Sequence, residues 1–225
     1  MEETALFTDD DLAVLAERFE HAPPGQLLAW AGDTFGDDLV VAAAMTLDVV
    51  LVDLAAKAIP NVQVVFLETG AHFPETLATT AEVERRYPIR LRTMRPEPGD
   101  LIAEQWKTAP DQCCHNRKVL PLEAALAGRK AWVTGMRRVD ADSRTAIPVV
   151  QRDKRGLVKI NPIASWTDED VASYAGDHDV PLNPLLQQGY PSIGCAPCTR
   201  RIAPGEDPRA GRWSGHDKTE CGLHV

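Results

Sequence analysis

The sequence predicts an α/β fold with a doubly wound, mostly parallel sheet, and three observations support this class. Short apolar runs alternate along the chain with segments of helical periodicity, which is the pattern of βαβ units. The chain has 225 residues, enough for one sizeable hydrophobic core. No internal repeat or low-complexity stretch breaks the alternation.

Local signals place the elements in order. Thr8 and Asp11 have the spacing of a capping box and open a first helix, which ends before Pro23. The polar, turn-rich residues 140–155 are expected to form a loop near the functional site. Later helices are expected at residues 26–31, 48–59, 75–86, 101–106, 118–127 and 167–176, the last capped by Thr167 with Asp170. Apolar runs predict strands at residues 39–44, 62–67, 89–93, 131–134 and 157–160.

The functional site is expected at one edge of this sheet. Ligands of parallel α/β sheets bind beyond the carboxyl ends of the strands. The predicted strand ends carry residues 44–48, Thr69, Gly70, Arg137 and Arg138.

The five cysteines form two pairs and a single residue: adjacent Cys113 and Cys114, the C-x-x-C pair Cys195 and Cys198, and Cys221 near the end of the sequence. A cytoplasmic location is expected, because the polar first residues do not resemble a signal peptide and no apolar run approaches the ~20 residues of a membrane span. In that reducing compartment, clustered cysteines favour metal binding or catalysis over disulfides.

Four thiolates can bind zinc or an iron–sulfur cluster. Adjacent cysteines are awkward donors to one tetrahedral ion because their side chains tend to diverge, whereas a cubane offers a different iron to each. An iron–sulfur cluster is therefore favoured, with zinc and free structural or redox thiols as alternatives. Cys221 is left as a candidate nucleophile, since a thiolate near a cation is reactive. An inert tail cysteine is the alternative.

Basic residues crowd into short loops near the cysteines and the strand ends. Guanidinium groups suit phosphate and sulfate oxygens, so the set predicts an oxyanion pocket, although each arginine alone is more often a solvated charge. His224, three residues after Cys221, is a candidate for orienting the substrate. The cationic set is Lys118, Arg137, Arg138, Arg144, Arg200, Arg201, Arg209 and Arg212.

The overall charge limits the classes of function. With 24 basic and 33 acidic residues the net charge is −9, which argues against a general nucleic-acid binder. The balance leaves room for an anionic small substrate, because local arginines can override the global sign.

A series of motifs runs from about residue 39 to the end of the sequence. In order they are L-E-T-G with H-F-P-E-T after it, C-C-H-N-R-K, T-G-M-R-R, K-I-N-P-I-A-S-W-T-D-E-D-V, C-A-P-C-T-R, G-E-D-P-R-A-G-R-W and K-T-E-C-G-L-H. Together they resemble the assimilatory phosphosulfate reductases. The pairing of C-C with C-x-x-C is similar to the cluster-containing, thioredoxin-dependent enzymes for adenosine 5'-phosphosulfate (APS). Cluster-free enzymes act on phosphoadenylylsulfate (PAPS).

The resemblance implies a fold like the adenine-nucleotide α-hydrolases, with a nucleotide-binding domain at residues 1–193 and a tail at residues 194–225 that does not fold independently. It implies reduction of APS to sulfite and AMP by thioredoxin, or a glutaredoxin-like reductant, through an S-sulfocysteine on Cys221. It leaves a homo-oligomer open. The implied ligands of a 4Fe–4S cluster are Cys113, Cys114, Cys195 and Cys198. The implied contacts of the phosphosulfate are Lys118, Arg144, Arg209, Arg212 and His224, with Thr69 and Gly70 near the nucleotide.

One segment departs from the family pattern. Residues 42–48 lack the serine and glycine of the usual phosphate loop, and only Thr46 offers a hydroxyl there. Backbone N–H groups of this segment and the N-terminus of the next helix are still expected to bind an anion. Three rival functions remain: PAPS reduction with the same nucleophile, an ATP-dependent sulfurtransferase or pyrophosphatase of the same fold, and a cluster-bearing redox sensor.

Overall fold

The structure is a computed structural model that describes residues 6–218 and 220–223. Its strands are β1 (Leu39–Ala42), β2 (Gln63–Leu67), β3 (Arg90–Met94), β4 (Ala131–Thr134), β5 (Val150–Arg152) and β6 (Val158–Ile160). Within the described residues they form a six-stranded sheet in the order β3-β2-β1-β4-β6-β5. Neighbouring strands are parallel except β5, which is antiparallel to β6. The predicted α/β class with a mostly parallel sheet is confirmed.

Helices separate the first four strands, and α8 follows β6. They are α1 (Asp9–Phe19), α2 (Pro24–Phe35), α3 (Val49–Ala58), α4 (Pro74–Arg86), α5 (Gln105–Thr108), α6 (Pro110–Cys114), α7 (Leu120–Leu126) and α8 (Asp168–Asp177). A π-helical turn, His115–Val119, joins α6 to α7. No helix within the described residues combines the length and the apolar character that a membrane span requires.

Both predicted capping boxes are confirmed. The Thr8 hydroxyl accepts a hydrogen bond from the Asp11 N–H at 3.1 Å, and the Asp11 carboxylate accepts one from the Thr8 N–H at 2.8 Å. Thr167 and Asp170 repeat this exchange at 3.1 and 2.7 Å. Each box satisfies N–H groups that have no partner inside the helix, which fixes where α1 and α8 begin.

Side chains of both faces of the sheet are buried, as expected where helices cover each face. Val41 and Val133 point into the larger core, which α2 and α3 cover. Val40 and Trp132, their neighbours along β1 and β4, point to the opposite face. There they join a smaller cluster with α7, called the second core below. The second core consists of Val40, Val65, Leu122, Ala125, Leu126 and Trp132.

Three predictions of local structure are wrong. The predicted loop at residues 140–155 contains β5, an edge strand too short to show an alternating pattern. The predicted helix at residues 101–106 is not formed, because α5 begins later, after the turn Pro98–Asp100. Helix α2 begins at Pro24 and not at residue 26, since a proline at the first helical position lacks only an N–H that would have no helical partner.

Candidate active site

A cavity of about 1190 Å³, called the main cavity below, opens at the carboxyl ends of the parallel strands. Residues that follow three strands line it: Thr46 after β1, Thr69 after β2 and Gly135 after β4. The strand order reverses between β1 and β4, which is where sheets of this kind bind ligands. The cavity therefore lies where the sequence places the functional site.

The segment after β1 is organised by an internal carboxylate. Asp48 accepts hydrogen bonds from the Ala44 N–H at 2.6 Å, the Thr46 N–H at 2.9 Å and the Thr46 hydroxyl at 3.2 Å. Burial raises the pKa of Asp48, against the opposing effect of these hydrogen bonds. The N–H groups of Ala44 and Thr46 already have Asp48 as their acceptor, so these two are not available to an anion. Anion binding by the other N–H groups of this segment and by the N-terminus of α3 stays a prediction.

Gly135 explains how Asp48 can approach the end of β4. A Cβ atom at position 135 would lie 2.8 Å from the Cβ atom of Asp48, a distance that real Cβ atoms do not show. The glycine in T-G-M-R-R is thus required by close packing of the segment after β1 against β4.

Lys118 lies in the π-helical turn and lines the main cavity together with Cys221. Burial alone would lower the pKa of its ammonium group, but Cys195, Cys221 and Cys114 together outweigh burial, and the pKa is raised. The π-helical turn therefore presents a cation to the thiol that the sequence predicts to be the nucleophile.

Arg212 also lines the main cavity and is held by the residues around it. Its Nη1 donates to the Ser192 hydroxyl at 3.1 Å and to the Ile193 carbonyl at 3.3 Å. Its guanidinium carbon lies 4.4 Å from the centre of the Trp213 ring, within cation–π range. Burial lowers its pKa, and within the described residues its buried Nε has no hydrogen-bond partner. Arg212 is thus a buried cation whose Nε–H group can still donate a hydrogen bond to a ligand.

The remaining four cysteines surround a second cavity of about 150 Å³ beside the main one. Cys113 and Cys114 reach it from α6, and Cys195 and Cys198 from the turn at residues 195–198. All four are free thiols. In the described part of the chain, no three His, Cys, Asp or Glu side chains converge on a single metal-ion position. The thiols therefore border a shared space without meeting at one point.

These four thiols lie in unequal electrostatic surroundings. The Cys195 sulfur lies 3.3 Å from the Thr69 hydroxyl. Burial alone would raise the pKa of Cys195, but Lys118, the hydrogen bond with Thr69 and Arg212 together lower it. Burial raises the pKa of Cys198 to about 11. The cations Lys118 and Arg212 thus stabilise the thiolate of Cys195, whereas burial dominates at Cys198.

The predicted nucleophile is half-buried. Cys221 lines the main cavity, and Leu223 packs against the second core. The Glu220 carboxylate accepts two hydrogen bonds from Arg144, at 3.0 and 2.8 Å, and lies 3.3 Å from Arg209. Two predicted substrate residues, Arg144 and Arg209, thus bind the Glu220 carboxylate. A third, His224, lies outside the described residues.

Two other predicted substrate residues border the main cavity but have carboxylate partners. Arg137 is buried and donates to Asp140 at 2.7 Å and to Asp168 at 2.8 Å. Arg138 donates to Glu20, the residue that follows α1, at 2.5 and 2.9 Å. Each guanidinium therefore ties loops or helices together at the rim of the cavity.

Thr69 and Gly70 connect the two cavities. The Thr69 carbonyl accepts a hydrogen bond of 2.6 Å from Arg117. Gly70 borders the small cavity with a φ of +71°, a left-handed conformation that glycine adopts without strain. Sequence reasoning missed the roles of Asp48, Arg117 and Glu220. The sequence did offer a signal for Arg117 and Glu220, because each directly precedes a predicted site residue within a motif, Lys118 and Cys221 respectively.

The arrangement agrees with comparisons to known proteins. The family model of the phosphoadenosine phosphosulfate reductase domain matches residues 39–201. The chain belongs to this family. The adenosine 5'-phosphosulfate reductase of Streptomyces coelicolor is 50% identical to it over 230 residues, covering 96% of this chain and 96% of that protein. The resemblance stated from the motifs is thereby confirmed.

Solved structures confirm the fold expected from the resemblance. The phosphoadenylyl-sulfate reductase of Candida auris, in a phosphate complex, has a TM-score of 0.78 and 28% identity, covering 86% of this chain and 98% of that one. The FMN adenylyltransferase of Candida glabrata, in complex with FMN and an ATP analogue, has a TM-score of 0.61 at 14% identity, covering 90% of this chain and 73% of that one. The second likeness shows the fold alone.

Proposed function

We propose that this chain reduces APS to sulfite and AMP with electrons from thioredoxin, in assimilatory sulfate reduction. The observation that carries the proposal is that Cys221, Lys118 and Arg212 line one cavity at the strand ends, next to a separate cavity bordered by the other four cysteines. The relatives named for APS reduction match over nearly their whole length, which supports APS as the substrate.

The donor set of the small cavity fits an iron–sulfur cluster. Cys113 and Cys114 are adjacent in the chain, and the side chains of adjacent residues tend to diverge, which suits the separate irons of a cluster better than one tetrahedral zinc ion. Thiolates are the ligands that 4Fe–4S clusters take. Cys113, Cys114, Cys195 and Cys198 would hold the cluster, which when bound would tether α6 to the turn at residues 195–198.

The chemistry of the first step is transfer of a sulfonyl group to Cys221. The thiolate attacks the sulfur of the phosphosulfate, a sulfur–sulfur bond forms, and the sulfur–oxygen bond to the phosphate breaks. The electron pair leaves with AMP, whose phosphate is a good leaving group. The thiolate and the phosphosulfate are both negatively charged and repel each other. Lys118 and Arg212 offset this repulsion by placing positive charge beside both groups.

The second step is thiol–disulfide chemistry at the same sulfur. A thiolate of reduced thioredoxin attacks the Cys221 sulfur, and sulfite departs with the electron pair of the sulfur–sulfur bond. The second thioredoxin thiol then resolves the mixed disulfide and releases the Cys221 thiolate. Thioredoxin is oxidised by two electrons, so no residue of this chain changes its oxidation state over the cycle.

A pair of serine variants tests the assignment of the five cysteines. Cys221→Ser should abolish sulfite release and retain iron and visible colour, whereas Cys113→Ser should lose iron and colour. Mass spectrometry after mixing the native protein with APS, without thioredoxin, should find a sulfonate on the peptide that contains Cys221. Sulfite release by Cys221→Ser, or an adduct on another peptide, would refute the role of Cys221.

PAPS reduction is the second candidate, because the structural relative from Candida auris is named for it. The nucleophile and the leaving-group chemistry would be the same. Turnover measured with both nucleotides in competition distinguishes the two. A higher kcat/KM for PAPS than for APS would overturn the choice of substrate while leaving the mechanism intact.

A further inference from the structure

The carboxylate next to the predicted nucleophile occupies two arginines of the predicted oxyanion pocket. Glu220 Oε1 accepts from Arg144 Nε at 3.0 Å and Oε2 accepts from Arg144 Nη2 at 2.8 Å. Arg209 Nη2 lies 3.3 Å from the same Oε2. All three side chains are mostly buried, with 11%, 20% and 21% exposure for Arg144, Arg209 and Glu220. This is the two-point geometry with which arginine also binds phosphate and sulfate.

Glu220 occupies the two-donor edge of Arg144, Nε and Nη2. Nη1 lies 3.6 Å from Asp140 Oδ2, within ion-pair distance but too far for a hydrogen bond, so carboxylates face both edges of the guanidinium. An incoming phosphosulfate can take the two-donor edge of Arg144 only where Glu220 leaves. Asp140 is also held by Arg137, at 2.7 Å, whereas Glu220 belongs to the tail. Glu220 is therefore the partner that can be exchanged without taking apart the rim of the cavity.

Residues 220–223 contact the rest of the protein on both sides of Cys221. Glu220 forms the polar contact with Arg144 and Arg209, and Leu223 forms the apolar contact with the second core. Gly222 between them has a φ of +81°, which lets the chain turn. Loss of the polar contact would leave Cys221 held by Leu223 on one side and, three residues earlier in the chain, by the ion pair of Lys218 with Asp111.

We propose that Glu220 is an internal competing anion that binds Arg144 and Arg209 in the substrate-free protein and is displaced by the phosphosulfate of the substrate. The exchange replaces one anion by another, so neither arginine is left buried and unpaired. Displacement also removes the polar contact of the tail, which prepares Cys221 to leave the cavity and meet its reductant. The identity of the displacing anion rests on the proposed function.

Glu220→Gln tests the competition, with Glu206→Gln as a matched control. Glu206 also accepts two hydrogen bonds from an arginine of the C-terminal segment, Arg200, at 2.9 and 3.1 Å, but it does not line the main cavity. Binding of APS is measured by calorimetry in a Cys221→Ser background, where no transfer occurs. Glu220→Gln should bind APS about tenfold more tightly, equivalent to 1.4 kcal/mol, and Glu206→Gln should match the parent. Unchanged or weaker binding in Glu220→Gln refutes the competition.

A second readout does not depend on activity. With Cys221 present and no nucleotide added, Glu220→Gln should be alkylated at Cys221 by iodoacetamide about tenfold faster than the native protein and Glu206→Gln. Equal rates would refute the view that Glu220 holds the tail. Failure of the native protein to release sulfite from APS would refute the proposed function, and the alkylation rates would still decide whether Glu220 restrains Cys221.

A split between kcat and KM separates competition from simple positioning. A competing anion predicts that Glu220→Gln lowers KM, because the carboxylate no longer opposes the substrate. A residue that only positions Cys221 during the transfer predicts a lower kcat with an unchanged or higher KM. The second pattern would overturn the proposal.

Discussion

The position of Arg212 depends on the absence of a side chain at Gly194. A Cβ atom there would lie 2.6 Å from Nη2, 2.7 Å from Cζ and 2.8 Å from Nε of Arg212. Ordinary non-bonded separation is about 3.5 Å or more, so in Gly194→Ala the guanidinium would have to move by about 1 Å. The Trp213 ring and the hydrogen bonds to Ser192 and Ile193 restrain it from the other sides.

The expected loss of activity follows from this displacement. Misplacing a group at an active site by about 1 Å can cost about 100-fold in rate, and removing one donor that stabilises developing charge costs about 100- to 1000-fold. We therefore expect Gly194→Ala to lower kcat/KM for APS about 100-fold. The matched control is Gly25→Ala in α2, where an added Cβ would meet nothing within 4 Å. Its activity should equal that of the native protein.

Sulfite release with reduced thioredoxin measures the effect. Iron content is measured on the same samples, because Gly194 precedes Cys195 and a displaced loop would also alter a cluster ligand. The reasoning is refuted if Gly194→Ala retains its full iron content and a kcat/KM within about twofold of that of Gly25→Ala.

Two further predictions concern stability. Arg138→Gln and Glu20→Gln should each lower the free energy of unfolding by about 1 kcal/mol. The double variant should lose no more than either single variant, because all three lack the same ion pair. Denaturant unfolding of the native protein and the three variants measures this. Burial lowers the pKa of Lys159 from 10.5 to about 8, so the unfolded state binds more protons between these values and the native protein should gain stability as pH rises through that window. Lys159→Met should abolish this gain in stability with pH and raise the free energy of unfolding at pH 7 by up to about 3 kcal/mol. Denaturant unfolding across this pH range measures both effects. The same pH dependence in the native protein and the variant would refute the role of Lys159.

Local signals made most of the fold predictable from the sequence. The capping boxes at Thr8 and Thr167 involve residues three apart, and their hydrogen bonds form whatever the rest of the chain does. Segments rich in apolar residues likewise located β1, β2, β4 and β6, and alternating apolar residues located β3. Strand β5 was missed because Val150 is its one apolar residue and its pairing with β6 is a property of the sheet edge.

The partners of the arginines could not be predicted in the same way. Arg138 pairs with Glu20, 118 residues away, and Arg144 pairs with Glu220, 76 residues away. A guanidinium has several donors and accepts any nearby carboxylate, so its role depends on which elements the fold brings together. The sequence therefore predicted a cationic region. The three-dimensional structure was needed to show which arginines of that region pair with carboxylates and which do not.

That division bears on how a chain with a net charge of −9 can bind a polyanion. Carboxylates already neutralise Arg137, Arg138 and Arg144, so these arginines gain little from an added anion unless a partner leaves. Among the described residues, Lys118 and Arg212 have no carboxylate within ion-pair distance, and the thiolate of Cys221 acts on the pKa of both. An incoming phosphosulfate would therefore be attracted most strongly to Lys118 and Arg212, because no carboxylate neutralises these two cations. They are also the cations that interact with Cys221, the proposed nucleophile. Substrate binding and activation of the nucleophile would then rely on the same pair of charges, with Arg144 and Arg209 recruited only as Glu220 withdraws.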